Sequence, residues 1–160
     1  MTTLGGGKVM LIGGINMKRG NDVYSNHVYE GELTKCKEDV KWKELDSLIN
    51  SRYGHITFKM KEYVLVSGGS KGFGKHLNCE RYDLQKQKWS KNVHNLPVGL
   101  SNASVIVNTK ETFAVITGGE TEDYKTTNKI IIYTEQNGFV EYGRCTLNHS
   151  RKKHVSLFIR

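Results

Sequence analysis

The segment Val64-Leu65-Val66-Ser67-Gly68-Gly69 decides the fold prediction for this chain. Four consecutive residues suited to a β-strand run into a pair of glycines, as at the end of a short buried strand. The same arrangement occurs at Val9-Met10-Leu11-Ile12-Gly13-Gly14 and at Ala114-Val115-Ile116-Thr117-Gly118-Gly119. Because the glycine pairs recur at intervals of about 50 residues, the chain is predicted to consist of repeated structural units.

Other residues recur with the glycine pairs. Downstream of each pair come a tyrosine and then a second aromatic residue, namely Tyr29 and Trp42, Tyr82 and Trp89, and Tyr133 and Phe139. An Arg-x-x-His sequence occurs at Arg52 and His55, before the second glycine pair, and again at Arg151 and His154. Polar turn residues divide each unit into short apolar runs, so each unit is predicted to hold about four β-strands.

This combination resembles the kelch motif, in which an Arg-x-x-His strand, a Gly-Gly pair, Tyr-Asp and Trp follow one another. The second unit, from Arg52 to Trp89, matches at every signature position. The third unit lacks the opening arginine, the aspartate after Tyr133 and the tryptophan, and the first has Glu30 after Tyr29 and lacks its opening strand. The resemblance implies an all-β fold of kelch-type β-propeller blades, each made of four antiparallel strands.

The unit boundaries predict an incomplete propeller. The first repeat is placed at about 1–47, the second at about 48–95 and the third at about 96–145, with the opening strand of a further repeat at 146–160. Propellers usually have between about four and eight blades, so the chain is expected to form about half of one. It is interpreted as a partial sequence, a truncated product or a subunit that pairs with another. Open blade edges predict self-association.

Composition indicates a single domain and the class of partner. The chain has 160 residues and a formal net charge of +8 at pH 7, which favours acidic partners. No apolar run is long enough for a membrane span, so no membrane association is expected. The three cysteines are widely spaced and odd in number, which predicts a reduced chain in the cytoplasm.

The sequence offers little sign of catalytic chemistry. The histidines and cysteines lack zinc-type spacing, so no metal is expected. His55 and His154 occupy the same repeat position and are interpreted as packing residues. The glycine-rich stretch from Gly68 to Gly74 lacks the phosphate-loop pattern. No catalytic residue and no cofactor are predicted.

The leading functional prediction is a non-enzymatic protein-binding module. A protein partner, as an acidic or polar peptide, is expected to bind the loops at one end of the blades. The predicted partner-binding residues are Arg52, Tyr53, Lys71, Phe73, Lys75, Ser101, Arg151 and Lys152.

The resemblance supports part of this set. In substrate-adaptor kelch proteins the binding face uses arginines, serines and tyrosines at the start of the opening strand and in the loop after Gly-Gly. Arg52, Tyr53, Ser101 and Arg151 match the first of these positions, whereas Tyr53 and Lys152 stand where serine is usual.

The resemblance also implies possible biological settings. Many kelch proteins are substrate adaptors of ubiquitin ligases through a separate domain, and others bind actin. One alternative is a kelch-like enzyme, either an oxidase or a sugar isomerase. Another is a basic surface that binds nucleic acid or an anionic surface, although nucleic acid is not the expected partner.

Overall fold

The described part of the chain is all-β, as predicted. The computed structural model describes residues 1–17, 22–33, 40–92 and 94–157. Within these ranges there is no helix, and hence none long and apolar enough to cross a membrane. The strands are β1 (Thr2–Gly5), β2 (Lys8–Asn16), β3 (Val23–Glu32), β4 (Trp42–Glu44), β5 (Ile56–Met60), β6 (Tyr63–Ser67), β7 (Ser70–Lys71), β8 (Gly74–Lys75), β9 (Cys79–Asp83), β10 (Lys88–Lys91), β11 (Ser104–Val107), β12 (Phe113–Thr117), β13 (Ile130–Thr134) and β14 (Gly138–Glu141).

Twelve of these strands form three antiparallel sheets of four strands each. The first sheet has the order β1-β2-β3-β4, the second β5-β6-β9-β10 and the third β11-β12-β13-β14. Each strand pairs with its neighbour in the same sheet, and the short hairpin β7-β8 lies between β6 and β9 in sequence. The strands of each sheet fall within one of the predicted repeats at 1–47, 48–95 and 96–145.

The second sheet is covered on both faces. All five residues of β6 are buried, and their side chains alternate between two apolar cores. One core lies between the first and second sheets and contains Met10, Ile12, Val28, Leu48, Val64, Val66, Tyr82 and Trp89. The other core joins the second and third sheets and includes Ile56, Phe58, Met60, Tyr63, Leu65, Leu100, Ile116, Tyr133 and Phe139.

The three glycine pairs bring each sheet against the segment that follows it. The amides of Gly14, Gly69 and Gly119 donate hydrogen bonds to the carbonyl oxygens of Arg52, Leu100 and Arg151, at 2.9, 2.8 and 2.7 Å. A Cβ atom on the preceding glycine would lie less than 3.0 Å from the same three oxygens. All six glycines have positive φ. Close backbone approach and positive φ therefore both require glycine at these positions.

The segments that receive these contacts share a backbone turn. Gly54, Asn102 and Lys153 occupy the same position in their segments and have φ values of 62°, 55° and 55°. The amide of Asn102 donates to the Gly54 oxygen at 2.7 Å, and that of Lys153 donates to the Asn102 oxygen at 2.8 Å. The segment at 151–154 thus adopts the same local structure as the segments that open the second and third sheets.

Two sequence expectations about the ends of the repeats differ from the structure. The first repeat does not lack its opening strand, because Thr2–Gly5 pairs with β2 through the glycine turn at Gly5, Gly6 and Gly7. This four-residue segment is too short and too polar for its sequence to indicate a strand. The opening strand expected at 146–160 is absent from residues 146–157, since no neighbouring strand in the described chain offers hydrogen bonds there. Residues 158–160 lie outside the described residues.

The first sheet also departs from the repeat in its aromatic residues. Tyr82 lies opposite Trp89 and Tyr133 opposite Phe139, but Trp42 lies opposite Gly31 rather than Tyr29. A Cβ on Gly31 would meet the Trp42 ring at 2.7 Å, so the indole lies directly over this glycine. Tyr29 therefore lies two residues before the position that Tyr82 and Tyr133 occupy in their sheets, directly opposite the second aromatic residue. A shift of two residues keeps its side chain on the same face of the sheet. Residues 34–39, between β3 and β4 in sequence, lie outside the described residues.

Candidate partner-binding surface

The predicted site residues lie at one end of the second and third sheets, hereafter the Gly-Gly end. Tyr53 forms a β-bridge with Ser70, and Ser101 forms one with Glu120, so segments that open the sheets meet the loops after Gly-Gly. The exposure of the eight residues differs widely. Lys71, Phe73, Arg151 and Lys152 are exposed, Tyr53 and Lys75 are half-buried as whole residues, and Arg52 and Ser101 are buried.

Arg52 is a structural residue, which corrects its assignment to the binding surface. Its side chain is fully buried and forms an ion pair with buried Glu80, with 2.6 Å between Nη2 and Oε1. The same guanidinium donates to the oxygen of Gly68 at 2.8 Å and to Asn78. Glu80 also accepts from the amides of Ile49 and Asn50. A partner cannot reach this guanidinium, because it is buried and already donates its hydrogen bonds to Glu80 and to backbone oxygens.

Ser101 is likewise removed from the set of contact residues. It is 1% exposed, and its amide and carbonyl groups exchange hydrogen bonds with Glu120 at 3.0 and 2.8 Å. Its contribution is to hold Glu120 in place. The backbone of Ser101 therefore pairs the segment at 100–102 with the loop that follows the third glycine pair.

Glu120 is the centre of the charged part of the surface. Its carboxylate accepts from Lys75 at 2.7 Å and from Lys152, residues that are distant in sequence. The Lys75 side chain is 4% exposed and that of Glu120 is 11% exposed. The two ammonium groups, Lys152 first and then Lys75, hold the pKa of the Glu120 carboxyl below its usual value. Three loops are tied together here by charge.

Phe73 stands at the tip of the β7-β8 hairpin and is the most exposed large apolar residue at this end, at 95%. Gly72 has a φ of 66°, as tight two-residue hairpins require. The hydroxyl of Tyr124 donates to the Phe73 oxygen at 2.9 Å, and Lys75 lies 5.0 Å from the centre of the Tyr124 ring. The loop after the third glycine pair thus supports the hairpin while its phenyl ring points to solvent.

The remaining predicted residues lie around this hairpin and its neighbours. Tyr53 stacks on Tyr24 of the first sheet with ring centres 5.6 Å apart. Lys71 precedes the hairpin tip, and neither it nor Arg151 has a carboxylate partner among the ion pairs of the described residues. Arg151 donates from Nε to the oxygen of His149 at 3.3 Å. These two side chains leave positive charge free at the Gly-Gly end.

Sequence reasoning missed Glu120, Tyr124 and Tyr24 as parts of the surface. Glu120 follows a glycine pair directly, and its acidic loop faces a loop that carries Lys75, so charge complementarity was a usable signal. Tyr124 has a φ of 59°, which the sequence does not reveal. Its hydrogen bond spans 51 residues, and only the folded chain brings the two loops together.

The titratable groups near this end are packed against other parts of the fold. His55 and His154 each lie against the first glycine of a pair. Burial, assisted by the charge of Arg52, lowers the pKa of His55 to about 3. Burial raises the pKa of the Cys79 thiol to about 11. Within the described ranges, no cluster of three or more His, Cys, Asp or Glu side chains could hold a metal ion.

The Glu120 cluster predicts a specific loss of stability in acid. Because its pKa is lower in the folded chain, its contribution is fully present above the unfolded value of 4.5 and is lost as the pH falls through the folded value. We expect the free energy of unfolding of the native chain to exceed that of Glu120→Gln at pH 7. The difference should shrink as the pH decreases below 4.5 in urea denaturation experiments.

The comparison isolates one carboxyl group among several. Asp83 and Asp123 also have lowered pKa values, but the native chain and Glu120→Gln both contain them, so their effects cancel in the difference. A difference that stays constant from pH 7 to pH 3 would show that the charge of Glu120 does not stabilise the fold.

No protein-family model matches this chain, and the search of curated proteins gives no match either.

Proposed function

We propose that the three sheets are kelch-type propeller blades and that the chain is a non-enzymatic module that binds a protein partner at the Gly-Gly end. Three features support the blade assignment: four antiparallel strands in each sheet, sheets stacked face to face, and glycine pairs that contact the next opening segment. The matching unit from Arg52 to Trp89 supports the kelch family in particular. Arg52 forms the buried ion pair with Glu80 of the second sheet, and its backbone bonds to Gly14 and Ser25 of the first sheet.

The exposed phenyl ring of Phe73 is the observation that carries the binding proposal. An aromatic side chain loses little rotational entropy on binding, and the hairpin that holds it is already ordered by Tyr124. Such rigid aromatic anchors are enriched among the residues that dominate binding energy. Lys71 and Arg151 add free positive charge. The proposed ligand is therefore a peptide that combines an apolar residue with acidic residues, consistent with the charge of +8.

Replacing Phe73 by alanine is expected to weaken peptide binding by about thirtyfold or more, as loss of a dominant anchor does. Peptides would first be selected from a random displayed library on the immobilised native chain, and their affinities then measured by fluorescence anisotropy. Because Phe73 is 95% exposed, the melting temperature should hardly change.

The matched control is Leu33→Ala. Leu33 is 51% exposed and lies at the opposite end, where its amide bonds to Gly7. It should leave affinity unchanged. Equal affinities of the native chain and Phe73→Ala for every selected peptide would overturn the assignment of the surface. Selected peptides without acidic residues would overturn the proposed ligand class.

A further inference from the structure

The outer face of the first sheet exposes an apolar group. Leu11 and Tyr29 lie opposite each other on β2 and β3, and Trp42 lies opposite Gly31, so all three side chains share a face. Leu11 is 43% exposed and Trp42 is 46% exposed. Together with Tyr29 they line an open cavity of about 280 Å³. No other sheet of the described residues covers this face.

The second sheet shows what this face binds when it is covered. Val66 occupies the position of Leu11, two residues before the glycine pair, and Trp89 occupies that of Trp42. Both are buried in the core that joins the second sheet to the first. Ile116 and Phe139 of the third sheet are buried in the same way against the second. In both cases the cover is the opposite face of another four-stranded sheet of this repeat.

The third sheet presents an apolar face of the required kind, which no other sheet of the described residues covers. A row of directly paired residues crosses all four of its strands, formed by Ile106, Val115, Ile132 and Val140. Val140 is 51% exposed. Val115 occupies the position of Met10 and Leu65, which are buried in the two cores that contain Trp89 and Phe139. The molecule therefore carries both halves of one interface, one on each outer sheet.

We propose that the outer face of the first sheet binds the outer face of the third sheet of a second copy of this chain. The new contact continues the sheet-on-sheet packing already present twice within the chain, with Trp42 of one copy against Val115 of the other. The two surfaces differ, so the contact is heterologous, and two copies can close a ring through two such contacts. Self-association by this route is separate from peptide binding at the Gly-Gly end.

Sedimentation velocity over a range of protein concentrations tests the proposal. The native chain is expected to shift from monomer to dimer or larger species as concentration increases. Trp42→Glu and Val115→Lys should each weaken association by about tenfold or more, because each buries a charge in an apolar contact. A native chain that stays monomeric at every concentration up to its solubility limit would overturn the proposal.

Mixing the two variants distinguishes this arrangement from any other. In a mixed pair, Glu at 42 faces Lys at 115 in one contact, while the other contact keeps both native residues. We expect the mixture to associate more strongly than either variant alone. Pairing of two identical first-sheet faces instead predicts that Val115→Lys has no effect and that mixing restores nothing, and that result would overturn the proposal.

Two controls separate folding and peptide binding from association. Melting temperatures confirm that the variants fold, and Leu11→Glu replaces Trp42→Glu if the latter does not. Phe73→Glu introduces the same charge at a more exposed aromatic residue and should leave association unchanged while peptide binding is lost. Trp42→Glu should show the reverse pattern, so one proposal can fail while the other stands. Association weakened equally by Phe73→Glu would contradict the location of the contact.

Discussion

Replacing Glu80 by isoleucine is expected to lower the free energy of unfolding by about 3–5 kcal/mol, because it leaves the Arg52 guanidinium buried without its carboxylate. The side chains of Arg52 and Glu80 are 0% and 1% exposed, and 2.6 Å separates their charged groups. The change also removes the acceptor for the amides of Ile49 and Asn50. Urea denaturation followed by tryptophan fluorescence measures the effect.

The third sheet shows that this position also accepts an apolar pair. Leu100 occupies the position of Arg52, and Ile131 that of Glu80, and both are buried. The double variant Arg52→Leu with Glu80→Ile should therefore lose less stability than the sum of the two single variants, which a double-mutant cycle measures.

The surface pair of Glu141 and Lys129 supplies the matched control. Both side chains are more than two-fifths exposed, so Glu141→Ile should change stability by only about 0–1 kcal/mol. If Glu80→Ile costs no more than this control, the buried ion pair does not stabilise the fold more than an exposed pair does.

Replacing Trp89 by alanine should cost about 3–5 kcal/mol, the usual effect of removing a large buried aromatic side chain. Trp89 is 9% exposed, its ring centre lies 5.0 Å from that of Tyr82, and its indole nitrogen donates to the Asp46 oxygen at 2.8 Å. The change therefore empties part of the core between the first and second sheets. The melting temperature and the urea concentration at the unfolding midpoint should both decrease clearly.

Trp42→Ala is the control for this variant, because it removes the same side chain from the equivalent strand of a sheet whose face is open. At 46% exposure, Trp42 should contribute much less to the stability of the monomer. The comparison is made at a concentration low enough to exclude association. Equal losses for the two tryptophans would mean that burial between the sheets does not determine their contributions.

Sequence reasoning worked where one physical requirement acts on neighbouring residues. An apolar run before a glycine pair has few structural interpretations, and the three runs are indeed β2, β6 and β12. It failed where the environment of a side chain depends on distant residues. Arg52 and Arg151 open the same local motif, but Arg52 is buried because Glu80, Asn78 and Gly68 surround it, whereas Arg151 is exposed.

The candidate surface shows the same limit. The sequence identified Phe73 and Lys75 as loop residues that could meet a partner, and they do share one hairpin. It could not show that the Lys75 side chain is almost completely buried in an ion pair with Glu120, because that contact joins loops of two different sheets. Exposure, rather than residue type, separates Phe73 and Lys71 from Arg52 and Ser101.

The coverage of the second sheet on both faces makes stability uneven along the chain. Strand β6 contributes side chains to both cores, whereas among the described residues the first and third sheets each have one face covered by another sheet. Either outer sheet can separate while the other stays in contact, but β6 is released only when both interfaces are lost. Transient opening therefore exposes strands β1–β4 or strands β11–β14 more often than β6, and the central strand retains its amide hydrogens longest.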